Sequence, residues 1–399
     1  MLALLAPGQG SQAPGMLGPW LELPGAAARI AWMSTLTGLD LHRLGTSAEA
    51  EEIKDTSVTQ PLIVALGLLA AAELDLTGAS VTAGHSVGEL TAAALAGVLH
   101  ADTAVALSAL RGREMAAACD QVETGMSAVL GGDPEQVLAR ISDCGLTPAN
   151  RNGAGQVVAA GPLAGLARLA ADPPAKARIV PIPVAGAFHT EFMAPAEKAL
   201  RAVADGIGTS DPDRLLLSNA DGTAVQTGVD MLARLVAQVT APVRFDACLA
   251  TLRHLGVTAV LELPPAGTLA GLAKRELRGV EIVALKGPAD LPAAAALLAR
   301  HAGSHQAEHT PAWRVIVAPV RGAIRRADVS EGTDVPAGTP LGSVASKREE
   351  VHVSATYDGV LTEWLVEDGD LVDAGDPLAR LEPPRDPMTR PDPVPAGAR

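Results

Sequence analysis

The sequence predicts an α/β protein with a mostly parallel sheet, interrupted by an α+β insertion and followed by a separate all-β segment. Three observations predict it. Short apolar runs of strand length alternate with longer helical patterns over residues 1–124 and again over 185–300. Between 125 and 184 the texture changes to three strand-like runs separated by two amphipathic helical patterns. Beyond residue 312 an internal repeat of short strands and glycine turns carries no helical pattern.

In chain order, LALLAP (2–7) is a buried strand entering a glycine turn, QPLIVALGLLAAAEL (60–74) has helix length, and ASVTAG (79–84) is a second strand ending at a sharp turn. Helices follow at Glu89–Ala96 and Ala101–Ala118. The insertion reads as strands at 125–132, 156–162 and 177–184, with helices at 134–142 and 163–171. The alternation resumes with RLLLSNADG (214–222), a helix over 229–239, the strand AVLELP (259–264) and a helix over 267–277. The apolar pattern lapses over 301–312, which marks a linker. His301, His305 and His309 stand four apart there, but Gly303 and the lack of an apolar face speak against a metal-binding helix, and no metal is expected. In the repeat, Gly332, Val335, Gly338 and Pro340 return as Gly369, Val372, Gly375 and Pro377 at one constant offset, so two similar β halves over 313–382 close on each other. The proline-rich residues 383–399 are expected to be disordered.

Composition narrows the function. The formal net charge is −14 and the pI near 5.1, which repels phosphate backbones and argues against nucleic acid as a partner. Cys119, Cys144 and Cys248 lie far apart without metal-ligand spacing, as expected in a reducing cytoplasm. The N-terminus lacks the features of a signal peptide, and the longest apolar segment, Leu62–Leu74, is too short to span a bilayer. A soluble, cytoplasmic, monomeric protein without a membrane partner is the expectation.

The chemistry centres on Gly84-His85-Ser86-Val87-Gly88, a Gly-x-Ser-x-Gly pattern between a strand and a helix. Such an elbow exposes a serine, and the helix N-terminus offers N–H groups to a developing oxyanion; a structural turn is the alternative. A second glycine turn, APGQGSQAPG, places Gln9 beside the C-terminal edge of the neighbouring strand. It also loosely fits a dinucleotide fingerprint, but no second strand ends in an acid about 20 residues on. In the helix from Ala101, Leu107, Arg111, Met115 and Ala118 share one face. A guanidinium on an apolar face needs an anion: a structural salt bridge, or a substrate carboxylate held bidentately. His189 follows a strand and is flanked by Phe188 and Phe192, two of only three phenylalanines. It is either a base or a packed core residue, and Glu191 is the one nearby acid that could orient it.

The motifs PGQGSQ, TSVTQPLIVA, GHSVGE, RGREMA, NRNGAGQVVAAG, GAFHT and GTLAGLAKR, in this order, resemble the malonyl-CoA:acyl carrier protein transacylase family over residues 1–302. The resemblance implies a hydrolase-like α/β core with a ferredoxin-like insertion. It implies that Ser86 is the acylated nucleophile, that His189 is its base, oriented by the Gln238 backbone carbonyl, and that Gln9 and the Val87 N–H form the oxyanion hole. Arg111 then binds the malonyl carboxylate, His85 and Asn152 lie near the site, and Phe188 matches malonyl-selecting members. The implied reaction is ping-pong, from malonyl-CoA through a malonyl-serine to the phosphopantetheine thiol of an acyl carrier protein, in fatty-acid or polyketide synthesis. Glu191 stands where the family commonly has proline, and ELPPAG replaces a more glycine-rich loop.

The repeated segment resembles a biotinyl/lipoyl-attachment barrel-sandwich domain. Arg348 falls at the hairpin apex where such domains carry an acceptor lysine, with Lys347 one residue early. Arginine forms no such amide, so an unmodified docking or packing module is favoured over covalent biotin or lipoate at Lys347, and no cofactor is required for the reaction. Two enzymatic alternatives share the elbow: a serine hydrolase, which has no need of Arg111, and the malonyl-transferring subunit of a malonate decarboxylase, which differs only in its carrier protein. A scaffold with a vestigial site is a third.

Overall fold

The computed structural model describes residues 1–301, 314–346, 350–355, 358–373 and 376–382. The chain divides into two units, Met1–Gln306 and Ala307–Arg399. Apart from His301, the linker read at 301–312 lies outside the described residues, as do the tail read at 383–399 and the hairpin residues Lys347 and Arg348.

The first unit opens with β1 (Leu2–Ala6), α1 (Ala26–Thr37), α2 (Leu41–Thr46), α3 (Thr56–Ala71), β2 (Val81–Gly84), α4 (Gly88–Leu95) and α5 (Ala101–Cys119). The insertion follows as β3 (Thr124–Gly131), α6 (Pro134–Asp143), β4 (Thr147–Gly153), β5 (Gln156–Pro162), α7 (Leu163–Ala171) and β6 (Ala177–Ile182). The unit closes with α8 (Ala194–Ala204), β7 (Leu215–Leu217), α9 (Gly228–Ala237), β8 (Val243–Arg244), α10 (Phe245–His254), β9 (Ala259–Glu262), α11 (Thr268–Glu276), β10 (Glu281–Ala284) and α12 (Leu291–His301). Side-chain caps start several helices: Asp55 accepts from the Ser57 N–H at α3, Asp133 from Glu135 and Gln136 at α6, and Thr227 from Asp230 at α9.

The core sheet has the order β10-β9-β1-β2-β7, and every pairing in it is parallel. Its central strands are buried throughout because helices cover both faces, and they are apolar save for Thr82 in β2 and Glu262 at the end of β9, without the polar alternation of a half-exposed sheet. The C-terminal ends of β1 and β2 lie side by side, Ala6 opposite Gly84, which places the two glycine turns at one edge. In open α/β sheets this edge is where ligands bind.

The insertion forms a second sheet, β6-β3-β5-β4-β8, antiparallel except where β4 meets β8. One face packs against α6 and α7 through Val129, Val137, Ile141 and Leu169. β4 and β8 are not evident in the sequence. β4 (TPANRNG) is polar and broken by register shifts, and β8 is two residues long. Yet β8 belongs to the chain that returns to the core, so this pairing ties the two sheets together. The run RLLLSNADG yields only the three-residue β7, after which Asn219 leaves the sheet for the site.

The second unit comprises β11 (Arg314–Val317), β12 (Gly322–Arg326), β13 (Asp334–Val335), β14 (Pro340–Ala345), β15 (Glu350–Ser354), β16 (Gly359–Trp364), β17 (Leu371–Val372) and β18 (Pro377–Glu382). The repeat shows in the backbone: Gly332 and Gly369 adopt φ of 88° and 95°, where only glycine is unstrained, and Val335 and Val372 are both buried. Each half lends a strand to the other, β12 pairing with β17 and β13 with β16. The two four-stranded sheets enclose a common core of Ile324, Val344, Leu361, Leu378 and their neighbours. No helix among the described residues is long and apolar enough to cross a membrane.

Candidate active site

The turn between β2 and α4 is a tight elbow, and its geometry explains its glycines. A Cβ on Gly84 would stand 2.1 Å from the Glu89 nitrogen, and one on Gly88 2.2 Å from the Ala6 carbonyl oxygen. Ser86 itself sits at φ 53°, a left-handed conformation that a residue with a side chain seldom adopts. Asn219 holds it there: its Oδ1 accepts the Ser86 N–H at 2.8 Å, and its Nδ2 donates to the Gly84 carbonyl at 2.8 Å. Gly88→Ala is expected to cost about 3 kcal/mol of stability, because the contact is with backbone that cannot rotate away. Urea unfolding measures it, and a loss under about 1 kcal/mol would mean that the turn relaxes.

Ser86 Oγ lies 2.8 Å from His189 Nε2, and His189 Nδ1 lies 2.8 Å from the backbone carbonyl oxygen of Gln238. The carbonyl is an acceptor only, so Nδ1 carries the proton and Nε2 is free to take one from the serine. Glu191, the acid considered from the sequence, is exposed and is not the orienter. Burial, reinforced by the nearby Arg111 guanidinium, pushes the His189 imidazole down to about 3. The ring is therefore neutral, as a base must be.

Arg111 is 3% exposed and reaches the same hydroxyl from within the protein, its Nη2 donating to Ser86 Oγ at 3.3 Å. Two neutral amides hold the guanidinium: Gln60 Oε1 accepts from Nη1 at 2.6 Å, and Gln238 Oε1 from Nη2 at 2.9 Å. Among the described residues no carboxylate lies within ion-pair distance of it. Burial lowers it to about 10, so it stays charged at neutral pH. Of the two anions considered from the sequence, the structural salt bridge is absent among the described residues.

Glu89, 1% exposed in the first turn of α4, is the nearest buried acid. Its Oε1 accepts the Asn219 N–H at 2.5 Å, and its Oε2 accepts from Gln238 Nε2. Burial pushes the carboxyl up to about 8, opposed by the Asn219 N–H and the charge of Arg111. Burial alone would leave such a carboxyl protonated at neutral pH, but each oxygen faces an N–H donor and neither faces an acceptor for a proton, so the geometry fits the ionised form.

Ser86, His189 and Gln60 line a cleft of about 420 Å³ between the core edge and the inserted sheet, while Arg111 and Gln238 lie behind Ser86, lining a small void with Leu107 and Leu200. Gln9 and Phe188 also line the cleft, Gln9 Nε2 donating to Thr56 Oγ1 at 3.2 Å. Neither the Gln9 nor the Val87 backbone N–H donates to an acceptor among the described residues. His85 Nε2 and Asn152 Oδ1, 2.8 Å apart, join the elbow to β4, and the His85 ring also meets Phe245 edge-on. Thus Ser86, His189, Gln238, Arg111, Gln9, Val87, Phe188, His85 and Asn152 converge. Sequence reasoning missed Gln60, Glu89, Asn219 and the exposed Arg275 at the cleft wall. It also missed how the ELPPAG loop is held: Glu262 accepts the N–H groups of Gly267, Leu269 and Ala270 at 2.7–2.9 Å, fixing the start of α11. A polar side chain inside an apolar run was the available signal for Gln60 and Glu89.

A serine with a neutral histidine, free N–H donors and a buried guanidinium that makes no direct ion pair suits acyl transfer from a substrate with an anionic arm. Residues 4–310 match the acyl transferase domain family, and residues 314–381 the family described as biotin-requiring enzyme. The malonyl CoA-acyl carrier protein transacylase of Mycobacterium tuberculosis is 61% identical over 296 residues, covering 73% of this chain and 98% of its own. The crystal structure of MCAT from the same organism superposes with a TM-score of 0.72 at 60% identity, covering 74% of this chain and 99% of its own. A type II PKS acyl-carrier protein in complex with its malonyl-transacylase gives a TM-score of 0.70 at 31% identity, with 74% and 99% covered.

Proposed function

The chain belongs to the acyl transferase family, and from that premise we propose that it moves a malonyl group from malonyl-CoA, through an ester on Ser86, to the phosphopantetheine thiol of an acyl carrier protein. The observation that carries this reading is the convergence of His189 Nε2 and Arg111 Nη2 on one hydroxyl. In the first half-reaction Ser86 Oγ attacks the thioester carbonyl while His189 Nε2 takes its proton. The Val87 N–H and Gln9 receive the oxyanion. Arg111 exchanges its bond to Ser86 for the malonyl carboxylate, which fixes the thioester over the nucleophile. His189 returns the proton to the departing CoA thiolate. In the second half the carrier thiol gives its proton to His189 and attacks the ester, and Ser86 leaves reprotonated.

Around this chemistry, Phe188 narrows the cleft against an α-branched acyl group, and His85 with Asn152 holds the inserted sheet against the elbow. The insertion, with its β-α-β-β-α-β order, is read as ferredoxin-like and the core as hydrolase-like. We read the chain as a cytoplasmic monomer serving fatty-acid or polyketide synthesis, and its second unit as an unmodified docking or packing module that adds no cofactor to the reaction. Malonyl transfer is tested with a holo carrier protein: malonyl-carrier should form faster than free malonate is released, and the reverse would favour a hydrolase.

The depressed His189 has two consequences. Its base form persists to low pH, so kcat/KM for malonyl-CoA is expected to stay flat from about pH 7 to about pH 5. An acid limb near pH 6.5 would contradict this. For stability the sign is equally defined. The unfolded chain binds a proton at His189 below its ordinary value of 6.5 while the folded chain does not until about 3, so this group destabilises the fold progressively as pH falls through that window.

A further inference from the structure

We propose that Glu89 is a positioning residue for malonyl recognition: its carboxylate fixes which way round the Gln238 amide lies, so that Gln238 presents Oε1 to Arg111. The inference rests on the reading of Arg111 as the carboxylate clamp. Gln238 acts on both halves of the site. Its backbone carbonyl holds His189, while its side chain lies between Glu89 and Arg111. Nε2 faces Glu89 Oε2 and, at 3.2 and 3.3 Å, the Ser86 carbonyl and Asn219 Oδ1; Oε1 faces Arg111 Nη2.

An amide has a donor end and an acceptor end of nearly equal shape, and its partners decide its orientation. Here the partners at Nε2 only accept, the charged carboxylate at shorter range than the Ser86 carbonyl and Asn219 Oδ1, and the guanidinium at Oε1 only donates. Reversing the amide would set Oε1 against the carboxylate and Nε2 against the guanidinium, two repulsive contacts in a buried place. Glu89→Gln keeps the shape and removes this polarity. A glutamine there accepts the Asn219 N–H with its oxygen and turns its own NH₂ toward Gln238, which favours the reversed amide. Arg111 then loses an acceptor and gains a donor in its place. The Gln238 backbone carbonyl is not part of this exchange, so the loss falls on recognition of the carboxylate more than on activation of Ser86.

The test follows acylation of the full-length chain by intact mass, with malonyl-CoA and with acetyl-CoA, which lacks the carboxylate. Glu89→Gln is expected to lower the malonyl-to-acetyl ratio of acylation efficiencies about tenfold, mainly through a higher apparent KM for malonyl-CoA. A ratio within about twofold of the unsubstituted protein overturns the proposal. If Glu89→Gln fails to fold, Gln238→Met decides: it keeps the backbone carbonyl and lacks the amide, and it is expected to show the same selective loss. Equal losses for both thioesters overturn the proposal. Arg111→Ala separates the two readings. A ratio unmoved in Arg111→Ala defeats the clamp itself, whereas a ratio that collapses there but not in Glu89→Gln defeats only the role given to Glu89.

Discussion

Ser86→Ala is expected to reduce malonyl transfer by about 10⁴-fold or more and to abolish the covalent intermediate, with the protein still folded. The size follows from the two half-reactions. Both pass through the same oxygen, so the substituted protein has no alternative acceptor, and the remaining groups offer only binding and oxyanion stabilisation. The substitution also leaves Arg111 without one of its three hydrogen-bond acceptors while the Gln60 and Gln238 amides remain. Binding of malonyl-CoA should therefore survive. Calorimetric titration combined with a carrier-protein transfer assay separates the two effects. Residual transfer above about 1% would mean that the acyl group travels without an ester on Ser86.

Arg111→Ala is the second large effect, expected to lower kcat/KM for malonyl-CoA by about 10²–10³-fold. A buried, hydrogen-bonded charge pair in a dry site is worth far more than a surface pair, because losing one partner leaves the other desolvated and alone. In this variant the malonyl carboxylate would enter a pocket lined by amide oxygens, which repel it. Acetyl-CoA brings no carboxylate, so selectivity should invert rather than activity simply fall. Arg111→Lys should recover only part of the loss, since an ammonium cannot span Gln60, Gln238 and a carboxylate with a planar fork. Steady-state kinetics with both thioesters read this directly; equal losses for both would show that Arg111 supports the fold of the site and not the substrate.

The parts of the site legible in the sequence are those whose signal is local. Ser86 shows because its two glycines and the strand-to-helix switch are adjacent in the chain. Arg111 shows because helical periodicity places it on a face with Leu107 and Met115. His189 is ambiguous alone, and only the ordered set of motifs gives it a role. The group that orients the His189 ring could not be read from periodicity at all, because it is a backbone carbonyl, identical in every residue type. Glu89 and Asn219 escaped for another reason. They sit 130 residues apart and acquire meaning only when the sheet brings β2 beside β7. The same holds for Gln60, which joins Arg111 from 51 residues away, although one amide inside a run of buried aliphatic residues was a visible anomaly.

The fold follows a similar division. Continuous apolar runs identified the buried parallel strands, whereas β4 carries six polar or turn-forming residues in seven and gains its place from its partners. In the second unit, the repeated glycines predicted two halves closing on each other, and Gly332 and Gly369 occupy matching left-handed turns. What the repeat alone did not show is that the halves exchange strands, since pairing partners are a tertiary choice.

The measurement that bears most directly on the central claim is intact mass of the full-length protein after brief exposure to malonyl-CoA, followed by peptide mapping. One malonyl group is expected, on Ser86, stable in buffer and discharged when a holo carrier protein is added. No adduct, an adduct on another residue, or one lost to water as fast as it forms would contradict it.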